Sequence, residues 1–216
     1  EGRIATLLDE KDVMLGAIGH DLKTPLAALR VRIESVEDPA ERDKMAATIE
    51  DITRTLDDIL SLARVGRPTD PLEVTDLTAL VASVVEEFED MEEPVTFEAG
   101  KRIALSLRAT WLRRALRNLI GNALRYGHKA VVSLEREGAA VVIAVEDEGP
   151  GIPEGQLARM VEPFTRGEGS RNRATGGAGL GLAIARAIAE QHGGRLVLTN
   201  LREGGLRVEL RLPTKS

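Results

Sequence analysis

Cysteine is absent from this 216-residue chain. That excludes disulfide staples and cysteine-ligated zinc, and it fits a reducing compartment. Aromatic residues are almost as scarce, at 2%, against 43% hydrophobic residues overall. Any core must therefore be aliphatic, built from Leu, Val, Ile and Ala. No apolar run reaches the roughly eighteen residues that suggest a membrane span, and nothing resembles a signal peptide, so no membrane contact is expected of this chain. It begins at Glu1 rather than Met and reads as an excised soluble piece of something longer. A net charge of −6 argues against general nucleic-acid binding, which wants a basic footprint. Acid is missing locally as well. Between Glu98 and Glu135 there is none, while Lys101, Arg102, Arg108, Arg113, Arg114, Arg117, Arg125 and Lys129 all fall there. Such segregation suggests a local anion site, for instance for phosphates, or else a solvated basic helix face.

The apolar pattern divides the chain in two. Leu15, Ile18, Leu22, Leu26, Leu29, Ile33 and Val36 alternate steps of three and four, the seam of a packed helix. The stretch Ser35 to Pro39 punctuates it, with Pro39 suited to the first turn of a second helix. That helix carries Met45, Ile49, Ile52, Leu56, Ile59 and Ala63, and Gly66, Pro68 and Pro71 stop it. Residues 1–66 read as a helical hairpin and 67–72 as a linker. So small a hairpin buries little alone, and two copies complete a four-helix bundle, so a homodimer is expected. The alternative is that the seam packs on the rest of the chain.

Residues 73–216 show a mixed pattern. Asp76 can cap a helix through about Asp90, and another helix is expected over about Thr110–Tyr126. Val95–Glu98 and Ile103–Leu107 look like short strands. Ala130–Arg136 and Ala139–Glu146 form a hairpin about Gly138. Leu180–Gln191 is helical, ended by Gly193 and Gly194, and a last hairpin joins Arg195–Asn200 to Leu206–Leu212. These proportions predict an α+β sandwich, a sheet covered on one face by helices. No internal repeat is visible.

Four blocks carry chemistry. His20, in the run Gly19-His20-Asp21-Leu22-Lys23-Thr24-Pro25-Leu26, lies about 200° round the helix from Ile18 and Leu22, away from the seam. A neutral imidazole is a competent nucleophile near neutral pH, and the adjacent Asp21 can orient it and accept its proton. Thr24 shares that face and offers a hydroxyl that could position a water. Pro25 removes a backbone donor and is expected to kink the helix. In Asn118-Leu119-Ile120-Gly121-Asn122, Asn118, Asn122 and Arg125 form one polar face opposite Leu112, Leu116, Leu119 and Ala123. A carboxamide oxygen is a hard ligand suited to Mg2+. Asp147-Glu148-Gly149-Pro150-Gly151-Ile152-Pro153 follows a strand, so a carboxylate at its end could accept a hydrogen bond from an adenine amino group. Gly177-Ala178-Gly179-Leu180-Gly181-Leu182 opens a helix, presenting N–H donors and a positive dipole end to an anion. The polar, glycine-rich stretch from Gly167 to Gly177 before it has the composition of a mobile lid. His128 and His192 read as structural or solvent-exposed.

The order and content of these blocks resemble the sensor histidine kinases of two-component signalling, over nearly the whole chain. His20 to Leu26 is similar to the phospho-acceptor box, Asn118–Asn122 to the N box and Asp147–Gly151 to the G1 box. Glu162-Pro163-Phe164-Thr165-Arg166-Gly167 is similar to the F box and Gly177–Leu182 to the G2 box, with Ala178 where the family often has a small hydroxyl residue. The resemblance implies a dimeric hairpin joined to an α/β-sandwich ATP-binding domain of the histidine kinase/gyrase type. It implies that His20 takes the γ-phosphoryl group of ATP with Asp21 as general base, and passes it to an aspartate of a response regulator receiver domain. Thr24 would assist hydrolysis of that phosphorylated partner. Asn122 would hold Mg2+, Asn118 would support the phosphates, and Arg125 and Tyr126 would border the nucleotide. Asp147 would read adenine, with Ile152 in the purine pocket and Gly149 and Gly151 allowing close approach. Phe164, Arg166, Gly177, Gly179, Leu180, Gly181 and Leu182 would complete the cofactor site. A cytoplasmic location, as part of a longer sensor, follows from the same resemblance. Competing readings are a nucleotide-sensing pseudokinase scaffold and an ATPase of the same superfamily.

Overall fold

Pro39 opens a helix as its spacing predicts, and Asp38 caps that helix, its Oδ1 accepting from the Ala40 N–H at 2.9 Å. The architecture is given by a computed structural model, which describes residues 2–65, 71–165 and 179–214. Helix α1 (Gly2–Ile33) and helix α2 (Pro39–Val65) form an antiparallel hairpin. The side chain of Leu15 lies outside the described residues, as do Gly66 and Pro68. Gly19 lets the helices approach: a Cβ there would sit 2.4 Å from Leu60 Cδ1. Lys23–Asp57 at 2.6 Å and Arg30–Glu50 at 3.1 Å lace the same pair. Helix α1 runs through Pro25 as one helical span. The hairpin buries Ile33, Ile49 and Leu60, whereas Ile18, Leu22, Leu29, Met45, Ile52 and Ile59 remain exposed.

Beyond it come β1 (Glu73–Asp76), α3 (Leu77–Glu89), β2 (Val95–Phe97), β3 (Ala104–Leu107) and α4 (Ala109–Gly127). They are followed by β4 (Ala130–Glu137), β5 (Ala140–Glu146), a short α5 (Glu154–Leu157), α6 (Gly181–Gln191), β6 (Arg195–Asn200) and β7 (Leu206–Pro213). Asp76 caps α3, accepting from the Ala79 N–H at 3.1 Å, and Arg102 pairs with its other oxygen at 2.7 Å. The backbone N–H of Ala79, together with Arg102, holds the Asp76 carboxyl below the ordinary range despite some desolvation.

Five strands form one sheet in the order β2-β4-β5-β7-β6. The expected hairpins are present, with Glu137 opposite Ala140 and Asn200 opposite Leu206. The two short strands expected at Val95–Glu98 and Ile103–Leu107 are present, and their partners are ones the sequence did not assign. β2 pairs parallel with β4, Val95 opposite Ala130, because a whole helix separates them and a crossover can bring them side by side. β3 stays out of the main sheet and pairs instead with β1, a strand the sequence pattern does not announce. Helices α3, α4 and α6 cover one face. Leu112, Leu116, Ile120, Ile184, Ile188, Ile143, Leu210 and Leu212 are fully buried in that aliphatic core. Val65, at the end of α2, belongs to the same core, so the hairpin is anchored by packing as well as by the chain. On the opposite face Glu209 takes hydrogen bonds from Arg207 at 2.8 Å and Arg211 at 2.7 Å, and these pairs lie over the strands.

Candidate functional site

Helix α4 carries the asparagine pair to the mouth of a cavity of about 670 Å³. Its apolar side sinks Leu112, Leu116, Leu119 and Ala123 into the core, so Asn118, Asn122, Arg125 and Tyr126 are turned to the cavity wall. The opposite wall comes from the start of α6: Gly179, Leu180, Gly181 and Leu182. The two walls are close, since a Cβ on Gly181 would sit 3.3 Å from Asn122 Nδ2. Asn118 Nδ2 is buried there with no protein partner. An unmet amide donor in a cavity is costly unless something with a lone pair joins it.

The far end is built by the loop after β5. Asp147 is 9% exposed, and its Oδ1 accepts from the N–H groups of Gly149 at 2.8 Å and Leu206 at 3.1 Å. Burial pushes its carboxyl up, and those two donors pull it back only in part. Gly127 makes room for it: a Cβ at that position would meet Asp147 Cβ at 2.4 Å. Ile152, Gly151, Val145, Met160 and Leu206 give this end apolar walls around one carboxylate. Gly149 backs the loop, lying against the Tyr126 carbonyl.

Other expected site residues are placed differently. Phe164 is 65% exposed and adopts a left-handed φ of 63°, its N–H donating to Gly179 O at 3.1 Å. It does not line the cavity. Arg166 and Gly177, with the stretch between them, lie outside the described residues. His20 and Asp21 are more than four-fifths exposed on α1, Nδ1 standing 3.6 Å from Asp21 Oδ1. The Thr24 hydroxyl donates back to the His20 carbonyl at 3.2 Å. None of these three lines the cavity, whose hairpin-side wall is α2, through Asp51, Arg54, Thr55 and Asp58. No motif in the sequence singles those residues out. Asn200 is another unannounced participant, its carboxamide joined twice to the backbone of Ile152. His192 is structural: its Nδ1 lies 2.8 Å from Ile188 O and its Nε2 accepts from the Arg108 N–H at 3.0 Å.

The basic stretch is largely neutralised. Arg113 and Arg117 both pair with Glu87, Arg114 with Asp58, and Lys129 with Glu148. Acids from other elements supply the charge that the local sequence lacks, so the stretch is not one unopposed basic surface. Arg117 and Arg125 are its members at the cavity.

Residues 107–216 match the family described as Histidine kinase-, DNA gyrase B-, and HSP90-like ATPase. The chain is 38% identical to the sensor histidine kinase GtrS of Pseudomonas aeruginosa, over 98% of this chain and 44% of that protein. It is 34% identical to the sensor protein RstB of Escherichia coli, over 97% and 50%. The chain thus spans about half the length of these curated relatives. Among solved structures, full-length ShkA in complex with AMPPNP superposes with a TM-score of 0.70 at 21% identity, covering 93% of this chain and 45% of that one. At that identity the likeness speaks for the fold.

Proposed function

The chain belongs to the sensor histidine kinases of two-component signalling, and from that premise we propose that it is an ATP-dependent protein histidine kinase core. Residues 1–66 are its phosphotransfer hairpin and residues 73–216 its ATP-binding domain. The observation that carries this reading is the single cavity in which the Asn118–Asn122 face, the Asp147 loop and the Gly179–Leu182 helix start converge. One end is apolar with a buried carboxylate, suited to a purine carrying an amino group. The other has an amide lacking an acceptor and a helix N-terminus, suited to phosphates.

In this reading Asp147 accepts from the adenine amino group, Ile152 covers the base, and Asn118 Nδ2 donates to a phosphate oxygen. A divalent cation fits the donor set. Among the described residues no three His, Cys, Asp or Glu cluster, so an ion here draws on a carboxamide, water and phosphate oxygens, as Mg2+ does. Asn122 would hold it, and its role would be to neutralise charge on the transferring group. Asp21 faces His20 Nδ1, which leaves Nε2 as the attacking atom. As the N–P bond forms and the bond to the ADP oxygen breaks, the Nδ1 proton is held by Asp21. The phosphoryl group then passes to a response-regulator aspartate, and Thr24 serves the reverse, hydrolytic traffic. The exposed stripe of Ile18, Leu22, Ile52 and Ile59 supports a second copy of the hairpin as partner.

Incubation with γ-labelled ATP tests the reading. Wild type takes up acid-labile, base-stable label, and His20→Gln abolishes labelling while still binding ATP. One observation favours a nucleotide-sensing scaffold instead: His20 does not line the cavity. Absence of label on a wild-type chain that binds ATP would decide for that alternative.

A further inference from the structure

Asn200 ends β6, opposite Leu206 in the last hairpin, yet its side chain leaves that hairpin. Its Oδ1 accepts from the Ile152 N–H at 2.9 Å and its Nδ2 donates to the Ile152 carbonyl at 2.6 Å. A carboxamide used this way imitates a neighbouring strand, satisfying both polar groups of one peptide residue. The fit is close on its other side too. Gly151 has φ +70°, and a Cβ there would stand 2.8 Å from Asn200 Oδ1. Within the loop itself, the Gly149 N–H donates to Asp147 Oδ1 at 2.8 Å. Its far half, where Ile152 meets the cavity, is held by Asn200 across 48 residues of sequence.

We propose that Asn200 is a positioning residue for nucleotide binding: it fixes the backbone of Ile152 and so sets affinity for the purine end of the ligand. It does not line the cavity and acts only through Ile152. The proposal rests on the nucleotide reading given above. It concerns the end of the cavity that ATP and ADP fill identically, so its signature is a loss shared equally by the two. A residue serving the phosphate end would separate them. Asp at this position keeps the acceptor for the Ile152 N–H but opposes the carbonyl with a negative charge, so it preserves half of the clamp.

The test is titration of the full chain with ATP and with ADP by calorimetry, alongside steady-state autophosphorylation. Asn200→Ala should raise both dissociation constants about tenfold, the effect of leaving both polar groups of a half-buried peptide residue unpaired. KM for ATP should rise with it while kcat changes little, and Asn200→Asp should fall between Ala and wild type. Gly151→Ala, which pushes on the same contact from the loop side, should reproduce the shared loss and provides a second variant should Asn200→Ala fold poorly. Wild-type affinity in the folded Ala variant overturns the proposal, as does a fall in kcat at unchanged KM. A wild-type chain that binds neither nucleotide overturns the functional reading as well, so the two failures are distinguishable.

Discussion

Asp147 sits where burial raises its carboxyl above the ordinary value, with the Gly149 and Leu206 N–H groups only partly offsetting this. The sign follows from linkage. A carboxyl with a raised folded-state pKa contributes stability below its unfolded value, about 3.9, and loses it as pH rises through the folded value. At neutral pH the ionised group therefore weighs against the unliganded fold. Asn is its neutral isostere and keeps Oδ1 for both N–H donors, so Asp147→Asn should melt at the same temperature as wild type or a few degrees higher without ligand at pH 7. In the proposed pose the same change turns an N–H donor toward the adenine amino group, and ATP affinity should fall by about tenfold or more. Calorimetric melting and nucleotide titration together test it. A destabilised variant that binds ATP normally would contradict both halves.

His192 joins the end of α6 to the start of α4. Arg108 flanks α4 without a side-chain cap, and its N–H finds an acceptor in His192 Nε2, which requires the tautomer that donates from Nδ1 to Ile188 O. Burial, with Arg108 nearby, holds this imidazole below its ordinary pKa against the pull of the Ile188 carbonyl. Stability is therefore complete above about pH 6.5 and declines as pH falls from there toward the folded-state value. Melting temperatures measured across this range should drop more steeply for wild type than for His192→Gln, which starts lower at neutral pH but does not titrate. Elements with local signals are where sequence reading works. Pro39 and Asp76 announce helix starts, Gly138 a hairpin, and α4 shows its polar face by periodicity alone. The parallel partnership of β2 and β4, the β1–β3 pair and the hold of Asn200 on Ile152 depend on residues far apart in the chain, and no local pattern encodes them. For the same reason the basic run looked unopposed, since Glu87 and Asp58 lie on other helices. Likewise α2 carried a readable apolar seam, but nothing in it marked Asp51, Arg54 and Asp58 as a wall of the cavity.

At the scale of the molecule two interfaces matter: the proposed one of hairpin with hairpin, and the packing of the hairpin on residues 73–216. Ile52 is 49% exposed on the apolar stripe of α2. Ile52→Glu should convert a dimer to a monomer by light scattering, because a charge cannot be buried there unpaired. The second interface is held by Arg114, which donates from α4 to the Asp57 carbonyl at 2.6 Å and to Asp58 Oδ1 at 3.3 Å. Despite this partner, burial keeps the Asp58 carboxyl above its ordinary value, so desolvation outweighs the attraction at that site. The pair should accordingly respond unequally to substitution. Asp58→Asn removes a charge that was costly to bury and should change the melting temperature little. Arg114→Ala strands the carboxylate and removes the donor to Asp57, a loss of about 1–2 kcal/mol once partial solvent screening is allowed for. Adding Asp58→Asn to Arg114→Ala should then recover part of that loss. A cycle of the four proteins, followed by thermal melting, measures the coupling. Strict additivity would mean that Arg114 holds α2 through the Asp57 carbonyl alone.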